Sequence, residues 1–251
     1  MSFRNVYDDA AMASAYARLA FPGTYHLAFR DLPGLIEAHV RGRRALDFGC
    51  GAGRSSRFLR GLGFTVTGVD IAPEMLAQAR AADPDGDYRQ VPEESLAPLG
   101  AETFDLVLAA FPFDNLPTHE RKVRALSEIA GRLAPEGRFL NLVSAPEIYT
   151  HEWLSFTTRD FPENAHARTG DVVRIINREI ADPRPAEDIV WSDEAYREDY
   201  ARAGLRVVEA VRPLGRADEP FAWVNETRIA PWVIYVLGAA GEETIRSTSS
   251  D

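Results

Sequence analysis

The chain is predicted to be an α/β protein built on a mostly parallel sheet with helices on both faces. Three observations predict this. Short apolar runs alternate with helix-length segments between Arg43 and Ser144, a glycine-rich turn follows the first run, and an acidic residue closes the second. Strands separated by helices of this length form βαβ units, whose strands run parallel. ALDFG, from Ala45, is the first strand and SSRFLRGL its helix. FTVTGVD and APEMLAQARAA repeat the unit, DYRQV opens a short third strand, and FDLVLAAF, THERKVRALSEIAGRL and GRFLNLV follow as strand, helix and strand. A helix over Asp193 to Ala203 and strands over Leu205 to Val211 and Trp232 to Leu237 bring the sheet to seven strands. The loop between the last two is rich in Pro and Gly and too short for a helical crossover, so the final strand is expected to run antiparallel.

The flanks divide the chain further. Residues 1–42 are expected to form an N-terminal helical cover, with helices over Asp9 to Leu19 and Tyr25 to Val40 separated by the turn FPG at Phe21 to Gly23. Residues 43–145 form the core. Residues 146–190 lose the βαβ rhythm, hold one strand-like run at Val172 to Ile180, and are expected to be an inserted cap. Residues 191–238 complete the core sheet, and 239–251 read as a polar, flexible tail.

Composition narrows the function. Apolar residues make up 45% of 251 positions, enough for a sizeable core. The longest apolar run, Leu106 to Phe113, falls well short of the ~20 residues of a membrane-spanning helix. Arg4, Asp8 and Asp9 stand where a secretory signal would be apolar, so a cytoplasmic location is expected. With 38 acidic and 28 basic side chains the net charge is −10, a field that repels phosphate backbones. The partner expected is a small-molecule acceptor, with neither nucleic acid nor membrane and with no metal. The lone Cys50 reads as a small filler inside the glycine turn.

That turn, ALDFGCGAGR, places Gly49, Gly51 and Gly53 between a strand and a helix. Glycines there permit a tight turn and close backbone approach, and the helix that follows offers free N–H groups to a polar ligand. Asp70 closes the second strand 21 residues after Gly49, where a carboxylate can take both hydroxyls of a ribose. A nucleotide-like ligand follows. An NAD(P)-dependent oxidoreductase would want Gly or Ala at the sixth position of G-x-G-x-x-G, and Arg54 stands there. Asp47, just before the turn, opposes a pyrophosphate and suits a cationic amino or sulfonium group. A noncatalytic cofactor-binding module would carry the same residues.

ALDFGCGAG, GVDIAPEMLAQAR, FDLVLAAF and LSEIAGRLAPEGRFLNLV occur in order from Arg43 to Val143, and with them the sequence resembles the class I S-adenosylmethionine-dependent methyltransferase family. The resemblance implies a Rossmann-like sheet, S-adenosylmethionine as cofactor and S-adenosylhomocysteine as product. It implies that Gly49, Gly51 and Gly53 wrap the methionine part, that Asp70 holds the ribose, that Ile71 and Met75 lie beside the adenine, and that Asp47 contributes. Pro92 occupies the slot where many relatives carry an adenine-binding Asp, so Glu93, Glu94 or Ser95 would substitute. Tyr7 and Tyr16 lie where similar enzymes use a tyrosine to close over the cofactor.

In open parallel sheets ligands bind beyond the carboxyl ends of the strands. The loop FPFDNL therefore puts Phe111 beside the cofactor and Asn115 beside the acceptor. It lacks the D/N-P-P-Y/F signature of relatives that methylate nucleobase amino groups or protein glutamine. Trp153, Trp191 and Trp223 could line a pocket for a flat ring. His26, His151 and Asp114 are candidate bases, with structural roles favoured for the two histidines. Alignment alone can supply effective molarities of ~10⁵–10⁸ M. FPGTYHLAFRDLP and IAPWVIYVL resemble the N-methyltransferases of toxoflavin biosynthesis, which implies methylation of a ring nitrogen in bacterial secondary metabolism. O-methylation of a hydroxylated metabolite is the alternative.

Overall fold

The computed structural model describes residues 23–182 and 184–241. The expected helix over Asp9 to Leu19, Tyr7, Tyr16 and most of the expected tail lie outside these residues. The core sheet follows the predicted rhythm. Its strands are β1 (Arg44–Phe48), β2 (Thr65–Asp70), β3 (Asp87–Gln90), β4 (Phe104–Ala110), β5 (Leu133–Ser144), β9 (Leu205–Val211) and β10 (Trp232–Ala239). Their order is β3-β2-β1-β4-β5-β10-β9. The first five pair in parallel, and β10 runs antiparallel to both β5 and β9.

Alternation along the central strands explains why this sheet is covered on both faces. Leu106 and Leu108 of β4, Leu140 and Leu142 of β5, and Ile234 and Val236 of β10 enter one apolar core. Their neighbours Val107, Ala109, Phe139, Val143, Val233 and Tyr235 enter the other. A strand apolar at every position has no face to offer water, so helices must cover both sides. The first core takes helices α1 (Tyr25–Arg30), α2 (Leu32–His39) and α3 (Arg54–Gly61); the second takes α5 (His119–Ala130) and α6 (Asp193–Arg202). Helix α4 (Pro73–Ala82) packs Leu76 and Ala79 against Cys50 and Tyr88.

Two elements depart from the sequence reading. The single helix expected over Tyr25 to Val40 is broken at Asp31. Pro33 has no N–H to continue the ladder and is tolerated only in the first turn of a new helix. The fifth strand begins at Leu133, not Gly137, because the chain pairs with Phe104 as soon as α5 ends, then bulges at Glu136 in a left-handed conformation before resuming at Arg138.

Residues 156–189 build a second sheet in the order β6-β7-β8, from β6 (Phe156–Thr157), β7 (Val172–Asn177) and β8 (Ala186–Ile189), antiparallel throughout. Only β7 was legible as a strand. It ends at Asn177, whose Oδ1 accepts the N–H of Glu179 at 2.8 Å. Val173, Ile175 and Ala186 bury into the same core as β4 and β5. Buried Glu226 joins this region to α1: it accepts hydrogen bonds from the Thr24 hydroxyl (2.7 Å) and the N–H of Leu154 (2.7 Å), while Trp232 Nε1 donates to the Thr24 carbonyl (2.9 Å).

The bulge before Arg138 sets a steric requirement. A Cβ at Gly137 would lie 2.8 Å from the carbonyl oxygens of both Ala134 and Phe104, and backbone at two strands cannot yield cheaply. Gly137→Ala should therefore destabilise the protein by about 1–3 kcal/mol, read as a lower urea midpoint. An unchanged midpoint would show that the bulge relaxes freely.

Candidate active site

The strand order reverses between β1 and β4, so the loops leaving them diverge and open a cleft at their carboxyl ends. The cleft has a volume of about 950 Å³, the size of a small-molecule site. Its floor is the glycine turn. Gly49, Gly51 and Gly53 all have left-handed φ (71°, 52° and 75°). The N–H groups of Gly49 and Cys50 both reach Val69 O at 2.9 Å, which pins the turn to β2. A Cβ at Gly49 would fall 2.7 Å from Pro112 Cβ, so only glycine lets the loops after β1 and β4 pass this closely.

Asp70, at the end of β2, ties the turn to α4. One carboxylate oxygen accepts the Gly51 N–H at 2.8 Å and the other the Ala72 N–H at 2.9 Å. Burial raises its pKa above the usual carboxylate range, against those two N–H bonds. It lines the cleft with Ile71, Met75, Pro92, Glu93 and Glu94. Ile71 stands 42% exposed on the rim, while Met75 is buried. Glu93 and Glu94 are both held by Arg121, and Glu94 also by Arg124 Nε at 2.8 Å. Gln90, which the sequence did not single out, also lines this end and donates to Ile71 O at 3.1 Å.

Asp47 corrects an expectation. Its carboxylate does not line the cleft; it is buried beneath the turn, where one oxygen accepts the hydroxyls of Ser55 (2.7 Å) and Ser56 (2.5 Å) from the first turn of α3. The other oxygen has no hydrogen-bond partner among the described residues. Burial pushes this carboxyl up to about 6 despite the serine bonds. A partly unsatisfied acid under the floor favours a cation above it and disfavours phosphate.

The opposite end is aromatic. Phe111 leaves β4 with φ 71°, a conformation rare for a bulky residue and typical of functional sites. Its ring meets Trp232 at 4.7 Å, and Trp232 stacks on Tyr25 at 5.7 Å. Phe156 lies edge-on to both Tyr25 (5.2 Å) and Trp232 (5.8 Å). All four rings line the cleft. They come from α1, β6, β10 and the turn after β4, and only Phe111 was anticipated. The antiparallel course of β10 was the available signal, because it sets Trp232 opposite Ser144, the last residue of β5.

The expected tryptophans do not line this cleft. Trp153 is fully buried and donates to Ile148 O at 2.8 Å; Trp191 donates to Asp199 Oδ2 at 3.0 Å beneath Lys122; Trp223 stacks on Phe221 and donates to Arg216 O. Both candidate histidines are also elsewhere. His26 Nε2 lies 3.4 Å from Glu219 and its ring on Phe221, while His151 faces a separate hollow with Tyr149 and Phe161. Each of these side chains meets its own polar or packing needs locally.

Asp114 and Asn115 do reach the cleft. Asn115 Oδ1 is buried without a hydrogen-bond partner among the described residues. Asp114 accepts the N–H and hydroxyl of Ser144 and the Tyr196 hydroxyl. Asp188 of β8 lines the cleft as well and accepts the Tyr149 hydroxyl at 3.2 Å; no motif in the sequence singles it out. Nearby, fully buried Lys122 donates to Phe113 O and lies over the rings of Trp191 (4.5 Å) and Tyr196 (5.3 Å). Burial lowers the pKa of Lys122 and raises those of both carboxylates.

Residues 46–141 match the methyltransferase domain family. A ubiquinone biosynthesis O-methyltransferase of Nitrosococcus oceani is 32% identical over 162 residues, 61% of this chain and 63% of that protein. The chain spans between 37% and 63% of the curated relatives it matches. Among solved structures, the CcbJ methyltransferase of Streptomyces caelestis superposes with a TM-score of 0.64 at 19% identity, over 94% of this chain and 98% of that one. An S-adenosylmethionine-dependent methyltransferase of Clostridium acetobutylicum superposes with a TM-score of 0.63 at 13% identity, over 94% and 100%. Residues 46–141, with the glycine turn and its acidic partner, are thus similar to the methyltransferase domain family, and the strand order is that of a fold shared with solved S-adenosylmethionine-dependent methyltransferases.

Proposed function

We propose that the chain methylates a hydroxyl group of a small aromatic molecule, with S-adenosylmethionine as methyl donor. The observation that carries this reading is the two-ended cleft. One end is a backbone cradle with a carboxylate at its edge, and the other is an aromatic wall ending in the Asp114 and Asp188 carboxylates. Three features fit the donor: the Gly49–Gly53 turn admits close backbone approach, Asp70 stands at the ribose position, and the unsatisfied Asp47 oxygen beneath the floor suits a cationic group. Bound there, the donor would supply an activated methyl group at a sulfonium. The chain itself aligns the acceptor against Phe111 and Asn115 and excludes water with the four rings. Carboxylates accept hydrogen bonds and cannot donate them when ionised, so above the titration of these two acids the acceptor end calls for an O–H or N–H donor.

The hydroxyl reading stands on the relatives named ubiquinone biosynthesis O-methyltransferase and on those two acids. The ring-nitrogen acceptor expected from the sequence rested on the resemblance to the N-methyltransferases of toxoflavin biosynthesis, on the aromatic residues of the expected cap and on the lack of a persuasive base near the FPFDNL loop. Of those cap aromatics Phe156 lines the cleft and Trp153 faces elsewhere, and two carboxylates line the loop's side of the cleft.

Asp70→Ala should weaken S-adenosylhomocysteine binding by about 10- to 150-fold, the ~1.5–3 kcal/mol of a lost hydrogen bond to a charged group. Isothermal titration measures it, with Tm followed in parallel. A lower Tm with unchanged Kd would reduce Asp70 to a tie between the turn and α4. For the acceptor, incubation with S-adenosylmethionine and either 4-nitrocatechol or the nitrogen heterocycle lumazine should give an O-methyl product from the first and none from the second. Carbon NMR of the transferred methyl reads the attachment, and methylation of lumazine alone would restore the ring-nitrogen reading.

A further inference from the structure

We propose that Asp188, the third residue of β8, is the group that takes the proton from the acceptor hydroxyl. The inference rests on the hydroxyl-acceptor reading and adds a catalytic residue to it. Two acids line the acceptor end, and their surroundings separate their roles. Asp114 is saturated: Ser144 supplies an N–H and a hydroxyl at 2.7 Å, and Tyr196 a second hydroxyl at 3.4 Å. An acid so engaged holds the β4 loop against the end of β5. Asp188 has a single hydrogen bond among the described residues, from the Tyr149 hydroxyl to Oδ2, and no salt bridge. Its other oxygen keeps its full accepting capacity in a cleft-lining position.

The neighbourhood strengthens Asp188 as a proton acceptor. Strand β8 packs on the turn after β4, which brings Asp114 close, and a like charge favours the protonated form of its neighbour. Burial acts in the same direction, first in size, with Asp114 next, while the Tyr149 hydroxyl and the Lys122 ammonium oppose them. The Lys122 ammonium in turn feels the charges of Asp114, Asp199 and Asp188, in that order. Across β7 the register partner of Asp188 is Val173, so that side adds no charge. Together burial and Asp114 push the Asp188 carboxyl up to about 8, so once ionised it is a strong proton acceptor, and its general-base work falls on the alkaline side of neutral.

The step balances. Asp188 accepts the hydroxyl proton, and the freed electron pair on oxygen forms the bond to the methyl carbon. The carbon–sulfur bond breaks with its pair left on sulfur, and the neutral carboxylic acid later returns its proton to water.

The test uses 4-nitrocatechol, whose absorbance reports its own ionisation. In the complex of wild-type protein with S-adenosylhomocysteine, where no methyl can transfer, bound 4-nitrocatechol should shift toward its phenolate spectrum relative to free probe at the same pH. In Asp188→Asn that shift should be lost and kcat should fall by ~10²–10⁴-fold, with S-adenosylhomocysteine Kd unchanged. The base works only when ionised, so the wild-type rate should rise with pH through the titration of Asp188, and Asp188→Asn should lose that limb. Tyr149→Phe is the second variant: removing a hydrogen bond to the carboxylate raises its proton affinity, so the limb should move to higher pH. It keeps the test open where Asp188→Asn fails to fold. If wild type turns over 4-nitrocatechol and Asp188→Asn matches it in spectrum and rate, Asp188 is not the base. If wild type neither binds nor methylates 4-nitrocatechol, the hydroxyl-acceptor reading falls and takes this proposal with it.

Discussion

Everything at the site depends on one topological constraint, the reversal of strand order between β1 and β4. Parallel strands on either side of that point send their following helices to opposite faces, so no connection covers their ends. Chain must still pass there, and it passes closely: Gly49 lies against Pro112 with no room for a Cβ. That contact fixes the separation of the two loops from which the cleft is built. Both loops carry left-handed backbone, three glycines on one and Phe111 on the other. Such conformations persist only when surroundings over-determine them. Here the determinants are the paired bonds of Gly49 and Cys50 to Val69 O and that of Phe111 N–H to Leu142 O.

The second half of the cleft follows from the antiparallel strand. Because β10 enters the sheet at the end where β5 leaves it, its first residue sits at the cleft mouth. Trp232 then becomes a hub for rings from α1, β6 and the turn after β4 and reaches back with its Nε1 to Thr24. The second sheet, through β6 and β8, supplies Phe156 and Asp188 to the same space. Acceptor residues thus come from segments far apart in sequence. This is why so few of them formed a recognisable pattern.

What the sequence made legible were features with a local physical cause. Short continuous apolar runs, which only burial on both faces explains, marked the central sheet, and the glycine turn with Asp70 marked one end of the cleft. Elements whose cause is not local were missed. Strand β6 has two residues, and β8 reads AEDI, too short and too acidic to signal burial. Tryptophans could be counted but not aimed: each of Trp153, Trp191 and Trp223 turns toward a buried or nearby oxygen that its indole N–H requires. Asp47 was rightly read as close to the turn but on the wrong side of it, because the serines of α3 that draw it downward act only once the helix has formed.

Four aspartates at and beneath the cleft divide by how far their oxygens are satisfied. Asp70 and Asp114 have both oxygens engaged by backbone or hydroxyl donors and hold loops in place. Asp47 and Asp188 each keep an oxygen without a hydrogen bond among the described residues, one beneath the floor and one on the wall. For buried Asp47 an acceptor left unmade costs ~1–3 kcal/mol, and a folded chain tolerates it where something other than the chain completes the set. Buried Lys122 offsets part of the negative charge on the acceptor side. No described cation is among the interactions that shift Asp47, for which burial and Asp70 act together against the serine hydroxyls. The electrostatic asymmetry therefore runs along the cleft: its floor holds an acid that no described cation offsets, and its far wall holds two acids partly offset by Lys122.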